Sequence, residues 1–265
     1  MRVLYYLVIG ILFPFFLASS AIRAWRQTRS ADPTLQRLGH VDRAPSGPVI
    51  WVHASSVGEM QAAIPLVRSL QADYPETHIV VSSFTAAGMQ RARAAFGETV
   101  QVCPLPYDFP RFARRFLNRI RPLALIVMET EIWPSLFRLC GERRIPVLLA
   151  SARVTARSTR RYARLGSLLR ESLESVQLVA AQSEGDAHRF AELGVHASRI
   201  KVSGNLKFDL EPSAEIIEQG RAMRQLLFGA APVLIAASTR IGEDEAVLEA
   251  FRQVREKQAD ARLLI

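Results

Sequence analysis

Three carboxylates and one ammonium stand out by type and position: Glu59, Glu129, Glu131 and Lys207. Glu59 closes the stretch Ala54-Ser55-Ser56-Val57-Gly58-Glu59, which follows an apolar run. Glu129 and Glu131 follow another, in Met128-Glu129-Thr130-Glu131-Ile132-Trp133-Pro134. Lys207 lies in Ser203-Gly204-Asn205-Leu206-Lys207-Phe208-Asp209. A carboxylate at the edge of a cleft can take a proton from a hydroxyl. Each residue also has a plainer reading. Ser56 and Glu59, three apart, form a capping box, and the helix dipole then favours the ionised carboxylate and weakens it as a base. Glu131 fits a helix start before Trp133-Pro134. Glu129 is harder to read that way, because it emerges directly from a buried strand. Lys207 is one of three lysines in an Arg-dominated chain, a compact point charge where Arg is planar. Its plain reading is a surface residue at a domain junction.

Further candidates for substrate contact follow other apolar runs. They are Ser56, Gly58, Glu131, Asn205 and, in Ser151-Ala152-Arg153, Arg153. In Ala237-Ser238-Thr239-Arg240-Ile241-Gly242-Glu243, the residues Ser238, Thr239 and Arg240 precede a helical pattern and could hold a phosphate at its N-terminus. There is no GxGxxG and no GxxxxGK[ST], which counts against dinucleotide binding and P-loop chemistry. The five histidines show no metal-ligand spacing, so no metal and no cofactor is expected. Cys103 and Cys140 lack CxxC spacing and read as buried free thiols.

The elements that must position these residues are legible as alternating runs. Strands are expected at 49–54, 78–82, 100–104, 123–128, 146–150, 176–181 and 199–203. Amphipathic segments at 59–72, 86–96, 110–120, 132–144, 158–174 and 184–193 separate them. Continuous apolar strands, each followed by a helix, imply a parallel sheet covered on both faces: a doubly wound α/β domain over 49–210. In such a sheet, ligands sit at the carboxyl ends of the strands, where every candidate above lies. Residues 211–231 read as a linker helix. Strands at 232–237 and 261–265, with a helix at 242–257, read as the start of a second α/β domain, because a βαβ fragment cannot bury both faces of a sheet.

The 265 residues carry a net charge of +9, unevenly spread. Residues 111–170 hold fourteen Arg against three Glu, whereas residues 171–265 are net acidic. The balance favours anionic partners and, at 49% hydrophobic, excludes a disordered or collagen-like chain. The basic stretch lacks interleaved aromatics and any nucleic-acid motif, so no nucleic acid is expected. Val3 to Ile22 is free of charge and followed by Arg23, Arg26, Arg29, Arg37 and Arg43. This predicts a membrane anchor over residues 1–26 and a basic linker over 27–48, with the bulk of the protein on the cytoplasmic side. Pro14 leaves open whether the segment spans or enters one leaflet.

Six segments in order resemble the 3-deoxy-D-manno-octulosonic acid (Kdo) transferases of lipopolysaccharide assembly. They are WVHASSVGEMQAAIPLVRSL (51–70), METEIWPSL (128–136), SARVTARSTRRYARLG (151–166), AAQSEGDAHRFAELG (180–194), VSGNLKFD (202–209) and ASTRIGEDE (237–245). The family reads SVSVGE or AVSVGE where this chain has ASSVGE, and often NAR where it has SAR. The resemblance implies a metal-independent GT-B-type glycosyltransferase with two Rossmann-like domains. Its donor would be CMP-Kdo and its acceptor a lipid A precursor such as lipid IVA. The enzyme would work at the cytoplasmic face of the inner membrane, beside anionic lipids. It implies Glu59 as general base, and Glu129 and Lys207 as stabilisers of the transition state. The family's later CMP-binding motifs fall beyond Ile265, so this chain is expected to form the acceptor half and to be inactive alone. The alternative is a non-catalytic, basic, membrane-anchored adaptor that binds anionic lipid or envelope enzymes.

Overall fold

The computed structural model describes residues 5–11, 13–15, 33–209 and 214–265. The chain divides into two compact units, Met1–Leu210 and Glu211–Ile265.

The first unit is built on seven strands: β1 (Val49–His53), β2 (His78–Ser83), β3 (Gln101–Pro104), β4 (Ala124–Met128), β5 (Val147–Ala152), β6 (Val176–Ala181) and β7 (Ile200–Val202). All pair in parallel, in the order β3-β2-β1-β4-β5-β6-β7. Alternate side chains serve the two faces of the sheet. Trp51, Val80, Leu125 and Val127 enter one core, which holds Phe116, Phe137 and Phe190. Val52, Ile79, Val81, Ile126 and Met128 enter the other, with Met60, Ile64 and Val67 of the helix Val57–Asp73. Burial on both faces explains why these strands read as unbroken apolar runs.

Beyond β1 the chain runs outward to β2 and β3. It then crosses back, and β4 pairs with the other side of β1. Helices leave β1 and β4 towards opposite faces there, so a crevice opens at their carboxyl ends. Glu59 follows β1 and Glu129 follows β4.

Several details differ from the sequence reading. The amphipathic segment 158–174 is two helices, Ala156–Ala163 and Ser167–Glu174, broken at Gly166, whose φ is +53°. The first helix ends at Ala163, and Gly166 is the N-cap of the second, where glycine takes positive φ at little cost. The stretch read as a basic linker, 27–48, is partly built into the domain. Its described part includes a short helix, Pro33–Arg37, and Val41 and Ala44 join the core. The Arg37 guanidinium is buried and donates to the carbonyls of Phe84 and Leu105.

Among the described residues, no helix is long and apolar enough to cross a membrane. Residues 5–11 and 13–15 are helical, and the rest of the segment read as an anchor lies outside the described residues. Phe13 packs on Tyr107, Phe109 and Phe112 with ring centroids 5.0–5.6 Å apart. The Tyr5 hydroxyl donates to Asp108 at 2.6 Å. Leu7, Val8, Ile11 and Phe15 remain exposed.

The second unit contains the helix Ala214–Phe228 and a parallel pair, β8 (Val233–Ile235) and β9 (Arg262–Leu264), joined through the helix Asp244–Lys257. Of its apolar side chains, Ala261 alone is buried among the described residues.

Trp51 is fully buried, lies 4.7 Å from the Phe116 ring and donates to Ser82 Oγ at 2.8 Å. Trp51→Ala is expected to lower the unfolding free energy by about 3–5 kcal/mol, read from urea unfolding curves.

Candidate active site

Glu59 sits in the first turn of the helix Val57–Asp73, which Ser56 caps, and its carboxylate reaches back to the backbone of Ser55. Its backbone N–H donates to Ser56 Oγ at 3.2 Å, and its carboxylate accepts from Ser55 N–H at 2.7 Å and Ser56 Oγ–H at 3.1 Å. The cap therefore fixes the side chain at the crevice. A Cβ at Gly58 would meet only Ser56 Oγ, 4.0 Å away, so nothing in the protein demands glycine there. Its bareness leaves the outer side of this turn open. Burial raises the Glu59 carboxyl above the ordinary value, and the nearby charges of Glu131 and Glu129 add to that rise. Ser55 N–H and the Ser56 hydroxyl pull the other way. Desolvation thus outweighs the capping interactions that weaken a base.

Glu129 extends the β4 ladder, its N–H donating to Ala150 O at 2.9 Å, and then turns left-handed with φ +56°. That conformation is costly for a residue with a Cβ, and such strain gathers at functional sites. Its carboxylate meets Lys207 Nζ at 2.8 Å. The ammonium is 42% exposed and the carboxylate 22%, so the pair faces solvent at the crevice edge.

Lys207 is placed by a small polar framework at the end of β5. Ser151, also left-handed at φ +50°, accepts from Leu206 N–H at 3.3 Å and from Gln182 Nε2 at 3.1 Å. Its hydroxyl faces Asn205 Oδ1 at 3.4 Å, and that oxygen accepts from Lys207 N–H at 2.9 Å. The turn Leu206–Asp209 then packs on the helix that carries Glu59. Glu59, Glu129 and Lys207 thus converge at the β1/β4 crevice, from three separate stretches of chain.

Glu131 does something else. Its Oε2 accepts from His53 Nε2 at 2.9 Å, Trp133 Nε1 at 3.0 Å and the Ser55 hydroxyl at short range. Burial pushes its carboxyl up, but the hydrogen bond and charge of His53, with Ser55 and Trp133, hold it below the ordinary value. Beside it, the Tyr162 hydroxyl donates to Thr130 O at 3.0 Å and pins the helix Ala156–Ala163 to this loop. Arg153 is exposed, and no hydrogen bond or ion pair joins it to the trio among the described residues. Ser238, Thr239 and Arg240 follow β8 in the second unit, where Arg240 N–H donates to Glu243 at 2.9 Å. Sequence reasoning missed His53, Ser55, Ser151, Trp133 and Tyr162. The available signal was a histidine ending an apolar strand, since a buried polar side chain needs partners.

Cys103 and Cys140 are buried free thiols, and burial pushes both up to about 12. Among the described residues, no His, Cys, Asp and Glu cluster could hold a metal.

A doubly wound parallel α/β sheet with acids and a lysine at its switch point defines a Rossmann-like class of fold. Solved structures agree on the fold alone. UDP-GlcNAc 2-epimerase from Neisseria meningitidis, bound to UDP-GlcNAc, is similar at TM-score 0.56 and 12% identity, covering 82% of this chain and 64% of that one. The putative UDP-N-acetylglucosamine 2-epimerase from Listeria monocytogenes is similar at TM-score 0.54 and 14% identity, covering 82% and 62%. The family model described as 3-deoxy-D-manno-octulosonic-acid transferase (kdotransferase) matches residues 33–210, and the chain belongs to that family. It is 37% identical to the 3-deoxy-D-manno-octulosonic acid transferase of Haemophilus influenzae, over 95% of this chain and 60% of the relative. It is 36% identical to the enzyme of the same name from Bordetella pertussis, over 89% and 56%. The chain therefore spans somewhat more than half the length of these curated relatives.

Asp108 supports the site from below. Fully buried, it accepts from Ser135 N–H and Leu136 N–H at 2.9 Å each, and so caps the helix Pro134–Glu142 that follows Trp133. Burial lifts its carboxyl from 3.8 to about 6. The folded state then holds this proton more tightly than the unfolded chain. The contribution to stability is complete below about pH 4 and is lost as pH rises through 6. At about 1.4 kcal/mol per tenfold in proton affinity, the loss is of the order of 3 kcal/mol. The difference in unfolding free energy between the protein and Asp108→Asn is expected to change by that amount between pH 4 and 7, measured by chemical denaturation.

Proposed function

We propose that this chain is the acceptor-binding part of a glycosyltransferase that moves Kdo from CMP-Kdo to a lipid A precursor, such as lipid IVA, in lipopolysaccharide biosynthesis. The observation that carries this reading is the meeting of Glu59, Glu129 and Lys207 at the switch point, in a chain of the Kdo transferase family. Glu59 removes the proton from the acceptor hydroxyl. The freed oxygen forms a bond to the ketosidic carbon of CMP-Kdo, and the bond from that carbon to the CMP phosphate oxygen breaks, its electron pair leaving with CMP. Lys207 supplies positive charge beside the developing negative charge, and Glu129 fixes the ammonium by pairing with it. Residues 232–265, with Ser238, Thr239 and Arg240, begin the domain that takes the CMP end, after a linker helix in 211–231. On this reading, transfer needs the rest of that domain.

The exposed Leu7, Val8, Ile11 and Phe15, beside the Arg-rich middle of the sequence, support attachment to the cytoplasmic face of the inner membrane and its anionic lipids. The rival reading, a non-catalytic adaptor, draws on the same Glu129–Lys207 pair as a purely structural contact.

In a protein carrying both halves, Glu59→Gln is expected to reduce Kdo transfer by about 10²–10⁴-fold with the unfolding midpoint preserved. Turnover near the parent rate would favour the adaptor. Replacing Leu7, Val8, Ile11 and Phe15 together by Ser is expected to release the chain from anionic phospholipid vesicles in a flotation assay. Undiminished flotation would place the attachment elsewhere.

A further inference from the structure

Glu131 stands next to the reacting trio in sequence, yet its partners are all within the protein. Following those partners inward gives a continuous hydrogen-bonded relay. Trp51 Nε1 can only donate, and it donates to Ser82 Oγ at 2.8 Å. His53 Nδ1 lies 2.8 Å from Ser82 Oγ and 3.1 Å from Ser82 O. His53 Nε2 in turn lies 2.9 Å from Glu131 Oε2. That nitrogen also lies 3.0 Å from Ser55 Oγ. His53 is 1% exposed and the Glu131 side chain 29% exposed, so the relay runs from the core to the crevice wall.

Ser55 joins this relay to the base. Its hydroxyl donates to Glu131, while its backbone N–H donates to Glu59 Oε2 at 2.7 Å. We propose that Glu131 is a positioning residue and not a substrate ligand: the Trp51–Ser82–His53 relay fixes it as an anion behind Glu59, and Ser55 ties the two carboxylates into one unit. This rests on the reading of Glu59 as the base. The helix N-terminus and the two serines favour ionised Glu59, which makes it a poor proton acceptor. A fixed negative charge close behind it opposes that tendency. Among the described residues, the other charged or titratable groups about this pair are Glu129 near Glu59, with its partner Lys207, and His53 and Tyr162 beside Glu131. Glu129 is paired with Lys207, and of the two acids that raise the Glu59 carboxyl Glu131 contributes the more.

The test uses the 265-residue chain labelled with carboxyl-¹³C glutamate and titrated by NMR. In Glu131→Gln, an isosteric change, the Glu59 midpoint is expected to fall by about half to one pH unit. A folded variant whose Glu59 midpoint stays within 0.2 (about the measuring error) of the parent overturns the proposal. If Glu131→Gln does not fold, Trp133→Phe removes one donor and keeps the ring. The Glu131 midpoint is then expected to rise, and an unmoved midpoint overturns the proposal equally. In a protein with both halves, Glu131→Gln is expected to move the acid limb of the kcat/KM profile to lower pH and lower kcat several-fold with KM kept. A raised KM with kcat unchanged would make Glu131 a substrate ligand and end the proposal. Full activity of Glu59→Gln would instead remove the base assignment while leaving the NMR result standing, so the two failures are distinguishable.

Discussion

Everything in the first unit depends on one topological constraint, the reversal of strand order at β1. Parallel strands need crossover helices, and right-handed crossovers put those on opposite faces when the chain changes direction along the sheet. At the centre of the sheet, the helices that follow the neighbours β1 and β4 leave for opposite faces. The gap that results cannot be filled by either helix. Two strand ends then supply acids to its rim, and the residues that close it on the third side come from the turn after β7. The site is thus a by-product of how the sheet is wound, and its chemistry is a matter of which side chains the strand ends carry.

The polar groups at this rim are not independent. The cap that starts the Val57–Asp73 helix holds the same carboxylate that faces the crevice. Structural and functional readings of Glu59 are therefore two descriptions of one geometry. The same holds for Asn205, which closes a local turn by accepting from Lys207 N–H and in doing so delivers the ammonium to Glu129. A short framework of serines, Ser55, Ser56, Ser82 and Ser151, does most of the linking. Hydroxyls suit this task because each can accept and donate at once.

The strand pattern was legible because a sheet covered on both faces imposes continuous apolar runs, and all seven expected strands form. The break at Gly166 was not legible, since the amphipathic period runs on across it and only the backbone angle marks the stop. Among site residues, the approach of Glu59, Glu129 and Lys207 followed from their places at strand ends. Glu131 and Arg153 also follow strand ends, yet one turns into the protein and the other out to solvent. Past a strand's end, spacing no longer fixes a side chain's direction; the partners do. Those partners, His53 and Ser82 above all, look like isolated polar residues in apolar strands until the neighbouring strand is paired with them. The linker reading of 27–48 missed Val41 and Ala44 because a charge-rich stretch hides two small apolar side chains.

Glu129 carries a last consequence. Its left-handed backbone suits glycine better than any residue with a Cβ, so the fold is held slightly off its optimum at this point. A glycine there relaxes the chain and also deletes the carboxylate that orients Lys207. Selection of variants for heat resistance alone would thus drift toward a more robust but chemically silent molecule, and this position would be among the first to change.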